Sequence, residues 1–327
     1  MTNEFENYPT EKQAIKSIER LKKIEWPKYI QGDDVYEYIS QIENEIFKEF
    51  PIIPNFFREL EFSDFNLKIF RTRAVDSIRN INTYSEHSYP PAQFTGFGRC
   101  NFPNYPIFYS SNNALTALKE TVRANSSDSR KFCITKWKIR KSTEKIIFQN
   151  FLHTHLNEDN HFKKLTESDI EDIKSTFDNR LNDDQKIGLI HFINFLHDTF
   201  IRDKEYSLSA SLAHRAIFAK HIKPSEILMY PSIQTQKRGV NLAIHPNFVD
   251  NRMFIQRFYI VELVDYIEET GRFNLRITQY GIAKSSGIEW RQIDPEDVYY
   301  QKIMKEDFGE MMDEGFSFNF EKLVKAQ

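Results

Sequence analysis

The apolar positions of the chain change period several times. Over 11 to 24, Ile15, Ile18, Leu21 and Ile24 recur at helical spacing, and Pro27 stops the run. A second helix is predicted from Val35 to Phe50, with Tyr36, Ile39, Ile42, Ile46 and Phe47 on one face, ended by Pro51 and Pro54. Together these form a helical N-terminal region over residues 1–62. The stretch "NLKIFRTRAV" (66–75) then reads as a short strand carrying two arginines. In "GFGRCNFPNYPIFYSSNNALTALKE" an aromatic-aliphatic run stops at Tyr109 and a helix starts between Ser110 and Asn113. That helix carries Ala114, Leu115, Leu118 and Val122 as its apolar stripe, with Asn113, Thr116, Ala117 and Glu120 on another face.

Residues 131–140, "KFCITKWKIR", alternate apolar and basic positions and predict a strand with one buried face, the basic residues being solvated. From 145 to 204 the chain is charged and helical in period, with helix starts at Thr166–Asp169 and Asn182–Gln185. This segment reads as a helical insertion in a second region spanning 63–327. A further helix begins near Leu208, followed by a buried strand in "ILMYPSIQ". Two long strands, "FIQRFYIVELVDYI" and "FNLRITQYGIAK", are joined by a hairpin turn at Gly271.

Composition narrows what this chain does. With 29 Phe and 15 Tyr in 327 residues it has ample apolar material for a large core. A net charge of −3 gives no electrostatic argument for nucleic acid or an anionic membrane. Two cysteines, Cys100 and Cys133, are too few for a disulfide framework and fit a reducing, cytoplasmic compartment. No apolar run approaches the roughly 18 to 20 residues that span a bilayer. The polar start "MTNEFENYPTEK" lacks the apolar core of a secretory signal.

The candidate chemistry lies in the quoted stretch. Gly96 and Gly98 permit close backbone approach around Arg99, whose guanidinium suits a phosphate or carboxylate. Tyr109 lies where a strand meets a turn, and Glu120 points away from the apolar stripe. Each also has an ordinary structural explanation: Arg99 as a bridge to a surface carboxylate, Tyr109 as a core aromatic, Glu120 as an exposed helix residue. His153, His155 and His161 with Glu158 invite a metal reading, but their spacing matches no standard site, and no metal is expected. His214 and His245 are more plausible neighbours of a site.

The arrangement resembles the RES domain, a family of bacterial toxin-type proteins whose signature looks like "GGRWN", then "YxS" or "YxA", then "ALAE". Here "FGRCN", "YSS" and "ALKE" stand in that order, ten positions from Arg99 to Tyr109 and eleven from Tyr109 to Glu120. "IFRTR" is similar to the family's opening "LFRxR". "YSLSASLAHRAIFA", "YPS" and "NLAIHPNF" resemble its serine-bearing helix, "VPS" strand and closing motif. The likeness runs from Leu67 to Phe258, with Phe97 replacing a glycine and Cys100 standing where an aromatic is usual.

The resemblance implies an α+β fold like that of the ADP-ribosyltransferases, with mixed central sheets, flanking helices, and the N-terminal helices and 145–204 insertion as additions. It implies a toxin that consumes NAD by cleaving its nicotinamide–ribose bond, as a glycohydrolase or phosphorylase. An ADP-ribosyltransferase acting on a macromolecule, or a scaffold that binds a nucleotide without turning it over, are the alternatives. Arg99, Tyr109 and Glu120 take the catalytic roles. Arg71, Arg99, Tyr109, Ser207, Ser232 and Asn241 take the NAD-binding ones. An antitoxin protein or a second copy of the chain are the macromolecular partners it suggests.

Overall fold

The computed structural model describes residues 7–65, 67–124, 130–218, 223–267, 272–285 and 287–313. The elements begin with α1 (Glu11–Leu21), α2 (Val35–Phe47), β1 (Arg58–Leu60), β2 (Ile69–Ala74), β3 (Phe108–Ser111) and α3 (Ala114–Ala124). Next come β4 (Lys131–Ile139), β5 (Ile146–Asn150), α4 (Lys163–Thr176), α5 (Asp183–Arg202), α6 (Ser207–Phe218) and β6 (Ile227–Pro231). The last are β7 (Val240–Ile244), α7 (Pro246–Arg252), β8 (Met253–Ile267), β9 (Arg272–Lys284), β10 (Gly287–Gln292) and α8 (Val298–Asp313). The architecture is α+β, its strand pairing mixed, and the chain divides into two compact units.

Unit 1 comprises residues 1–60, 91–107 and 146–233. Its strands run in the order β1-β5-β6, with β1 antiparallel and β6 parallel to β5. The segment 145–204 therefore opens with a strand rather than being wholly helical, because Ile146 and Phe148 are buried between two neighbours. Helix α1 packs on α5, and α2 on α6. The α1 stripe differs from the expected one. Ala14, Ser17, Ile18 and Leu21 face inward, Ile15 is exposed, and the helix stops at Leu21. The chain entering α1 lies close to α5, where a Cβ on Gly188 would lie 2.4 Å from the Pro9 carbonyl oxygen.

The predicted start of α5 is present, Asn182 and Gln185 forming a reciprocal capping box. The start predicted at Thr166–Asp169 is not. Helix α4 begins at Lys163, which places Asp169 inside it, where it is buried against Arg58.

Unit 2 comprises residues 61–90, 108–145 and 234–327. Its strands run β7-β3-β2-β4-β8-β9-β10, every pairing antiparallel. Helices α3 and α8 supply the apolar cover. Phe70, Ala114, Leu115, Ala117, Leu118, Phe132, Ile134, Tyr259 and Phe308 form one core cluster with Val122 against it. Ala117 thus belongs to the core, contrary to its predicted face, because the first turns of α3 are buried nearly all round. The Gly271 hairpin turn lies outside the described residues.

The solvated-face expectation for β4 holds at Lys131 and Lys138, and at Arg140 just beyond the strand, and fails at Lys136. Lys136 is only 3% exposed, since α8 lays Asp307 and Glu306 over it. Arg257, its cross-strand partner on β8, makes a two-toothed bond to Asp307, 2.7 Å from Nε and 2.7 Å from Nη2, and the Tyr259 hydroxyl donates to the same carboxylate. Two buried cations and a buried carboxylate satisfy one another, the condition under which buried charge is tolerated.

Candidate functional site

The site grows from the junction of β3 and α3. The polar run Ser110–Asn113 does three separate jobs there. Asn113 Oδ1 accepts the Thr116 N–H at 2.7 Å and so starts α3. Asn112 exchanges bonds with Val240, accepting its N–H at 2.9 Å on Oδ1 and donating its own N–H to the Val240 carbonyl at 3.1 Å, which carries the β3–β7 ladder one residue further. Ser111 closes the sequence, its hydroxyl donating to Asn241 Oδ1 at 2.8 Å.

Asn241 passes that bond on. Its Nδ2 donates to Glu120 Oε1 at 2.8 Å, and because Oδ1 already accepts from Ser111, the orientation of the amide follows from its partners. Ser111 and Asn241 are buried, the asparagine 6% exposed, and Glu120 at the end of the chain is half-buried. Its placement depends on Gly239. A Cβ at that position would lie 2.1 Å from Thr116 Oγ1, so only glycine lets β7 approach the first turn of α3 this closely.

Register brings Tyr109 to the same face. Tyr109 pairs with Ala243 and Ser111 with Asn241, and paired or alternate residues of an antiparallel ladder point to one side. Tyr109 is the second residue of β3, which continues to Ser111 instead of stopping at the tyrosine as expected; the serines continue the ladder through their backbones.

Arg71 reaches the same strand from the other side. Strands β2 and β3 meet at one residue pair, Phe70 and Ser111, and then part. Across the gap the Arg71 guanidinium donates through Nη1 to the Tyr109 carbonyl at 2.7 Å and lies 5.3 Å from the centroid of the Phe108 ring. Its buried Nε has no partner among the described residues. Burial, with Arg73 nearby, pushes the pKa of Arg71 down to about 10. A guanidinium held this way, bonded to a carbonyl rather than a carboxylate, is short of negative charge.

The remaining predicted residues belong to unit 1. Arg99 sits in a tight turn closed by reciprocal backbone bonds between Gly98 and Asn101. Its guanidinium donates to the Phe200 carbonyl in the last turn of α5, where the helix dipole favours a cation, and lies 5.4 Å from the centroid of the Tyr206 ring. Tyr206 itself has φ 62°, an uncommon backbone state for an aromatic residue. Ser207 is buried at the start of α6, and Ser232 is fully buried just after β6.

The histidines have local explanations. His214 is ringed by Tyr36, Phe102, Tyr105 and Phe218. His245 caps α7, accepting the Asn247 N–H at 3.1 Å, and burial lowers its pKa. His153 lies 3.5 Å from Asp169, and among the described residues no three His, Cys, Asp or Glu side chains are grouped to hold a metal.

The structure therefore brings Tyr109, Glu120 and Asn241 to one face of unit 2 and ties Arg71 to the backbone of Tyr109. Ser111, Asn112 and Gly239 were missed by sequence reasoning, although the polar run "SSNN" between a strand and a helix is an unusual signal. The chain matches no protein-family model, and no curated protein or solved structure is significantly similar to it.

Proposed function

We propose that this chain is an NAD-consuming enzyme of the RES type, with an ADP-ribosyltransferase-like fold, that cleaves the bond between nicotinamide and ribose. The reading rests on the resemblance, and the observation that supports it most is the Ser111→Asn241→Glu120 relay, which holds a carboxylate in one orientation. When that bond breaks, its electron pair leaves with nicotinamide and the ribose carbon becomes cationic. A carboxylate fixed in advance stabilises this charge without reorganising. Water or phosphate then bonds to the same carbon, the water losing a proton, to give ADP-ribose or its 1″-phosphate.

The other residues have roles that suit their surroundings. Arg71, half-buried with its Nε enclosed and short of negative charge, takes a phosphate of the pyrophosphate. Tyr109 stacks on the nicotinamide ring or bonds a ribose hydroxyl. Asn241 and Ser111 are positioning residues for Glu120. The resemblance also gives Arg99, Ser207 and Ser232 contacts with NAD, and for these three it is the sole support.

The test is to incubate the purified chain with NAD, with and without phosphate, and resolve the products. Free ADP-ribose identifies hydrolysis, the 1″-phosphate identifies phosphorolysis, and a labelled macromolecule identifies transfer. Absence of nicotinamide under all conditions contradicts the proposal and leaves a nucleotide-binding scaffold.

A further inference from the structure

Unit 1 contains a cavity of about 160 Å³ with no part in the reading above. Phe148, Phe151, Ile173 and Leu196 supply apolar wall, and Arg58, Asp169, His197 and Arg215 supply polar groups. The cavity opens to the surface at Thr176, and its volume is close to the roughly 150 Å³ of apolar cavities that hold benzene. The volume therefore selects a single six-membered ring with a small substituent.

The charges in the wall are already matched within the protein. Arg58 donates to Asp169 at 2.8 Å and to Asp172 at 2.6 Å, Asn150 donates to Asp169 at 2.7 Å, and Arg215 donates to Glu43 at 2.7 Å. An ion entering this space would meet no counter-charge left over, so a neutral molecule fits. Two N–H donors are in surplus. His197 Nδ1 accepts the His153 backbone N–H at 3.0 Å, which puts the ring proton on Nε2, and that N–H has no acceptor among the described residues. The buried Nε of Arg215 likewise has none. Burial drives the pKa of His197 well below its usual value, which keeps the ring neutral.

We infer that this cavity is a binding site for a neutral, single-ring aromatic molecule bearing a carbonyl oxygen. The ring packs on the phenylalanines, and the oxygen accepts from His197 and Arg215. The inference is independent of any action on NAD.

Acetophenone is the probe, titrated into the whole chain by ligand-observed NMR, with benzoate as the charged counterpart. Saturable binding of acetophenone, with a Kd on the order of 0.1 to 1 mM, is expected, and benzoate should bind at least about tenfold more weakly. Thr176 is exposed and lines the cavity, so Thr176→Trp blocks it without disturbing the core and should weaken acetophenone at least about tenfold. Leu212→Phe, which fills the cavity from its buried wall, should do the same. Failure of acetophenone to saturate, equal affinity for benzoate, or undiminished binding to a folded Thr176→Trp chain would each overturn the inference.

Discussion

Unit 2 withdraws charge from water wholly in one place and partly in another, and treats it in two ways. Around Asp307, Lys136 and Arg257 each meet a carboxylate directly, and a tyrosine hydroxyl completes the set. Around Tyr109, the Arg71 guanidinium bonds a neutral carbonyl and its Nε is unsatisfied, while the Glu120 carboxylate is oriented by the neutral amide of Asn241. The first arrangement is closed: every charge has its complement in the fold, and its consequence is to clamp α8 onto β4 and β8. The second is open, since an arginine short of negative charge and a pre-oriented carboxylate have more to gain from a ligand than from each other. Buried charge that the fold has completed marks architecture, and an arginine left short of negative charge marks a candidate site.

The contrast can be broken most forcefully at its closed end. Asp307→Ala leaves Lys136 and Arg257 buried without their shared partner and should cost about 3–5 kcal/mol in a denaturant titration. At the open end, Glu120→Gln should lower NAD turnover at least about 100-fold, close to 2.7 kcal/mol of barrier. Its denaturation midpoint should stay near the wild type, because an amide oxygen still accepts from Asn241. Arg71→Met removes a poorly compensated cation. It should change stability by less than about 1 kcal/mol while raising the KM for NAD roughly tenfold, whereas a large loss of stability would place Arg71 with the closed cluster.

The smallest effect concerns acid. Burial works against the charged form of Glu306, yet the bond from Lys136 and the charge of Arg257 hold its pKa down at about 2, below the 4.5 of a free glutamate. A depressed carboxyl stabilises the fold above the unfolded value and ceases to do so as pH falls from about 4.5 towards 2. Unfolding followed across that window should show a shallower loss of stability in Glu306→Gln than in the wild type.

Much of this was legible along the chain. The Asn182–Gln185 capping box, the apolar stripe of α3 and the burial of "ILMYP" follow from local rules that tertiary contacts did not override. Lys136 was misread because alternation reports which residues share a face but says nothing of what covers it, and α8 arrives from far along the sequence. Asp169 was misplaced for a related reason. An acidic residue near a helix start resembles a capping residue until a distant arginine, Arg58, is found bonded to it. Within the candidate site, Tyr109 and Glu120 were visible through the spacing that carries the RES resemblance. Ser111 and Gly239 were not, since their roles depend on the register of β3 against β7 and on the close approach of β7 to α3.

The central claim is that Glu120, held by Asn241, serves the cleavage of NAD. The most direct measurement is nicotinamide release from NAD by the wild-type chain, Glu120→Gln and Asn241→Leu, each shown to be folded by circular dichroism. The account predicts release by the wild type, none above background in Glu120→Gln, and a fall in kcat exceeding any rise in KM for Asn241→Leu, because asparagine positions the carboxylate. Undiminished release by Glu120→Gln, or none from the folded wild-type chain, would contradict it.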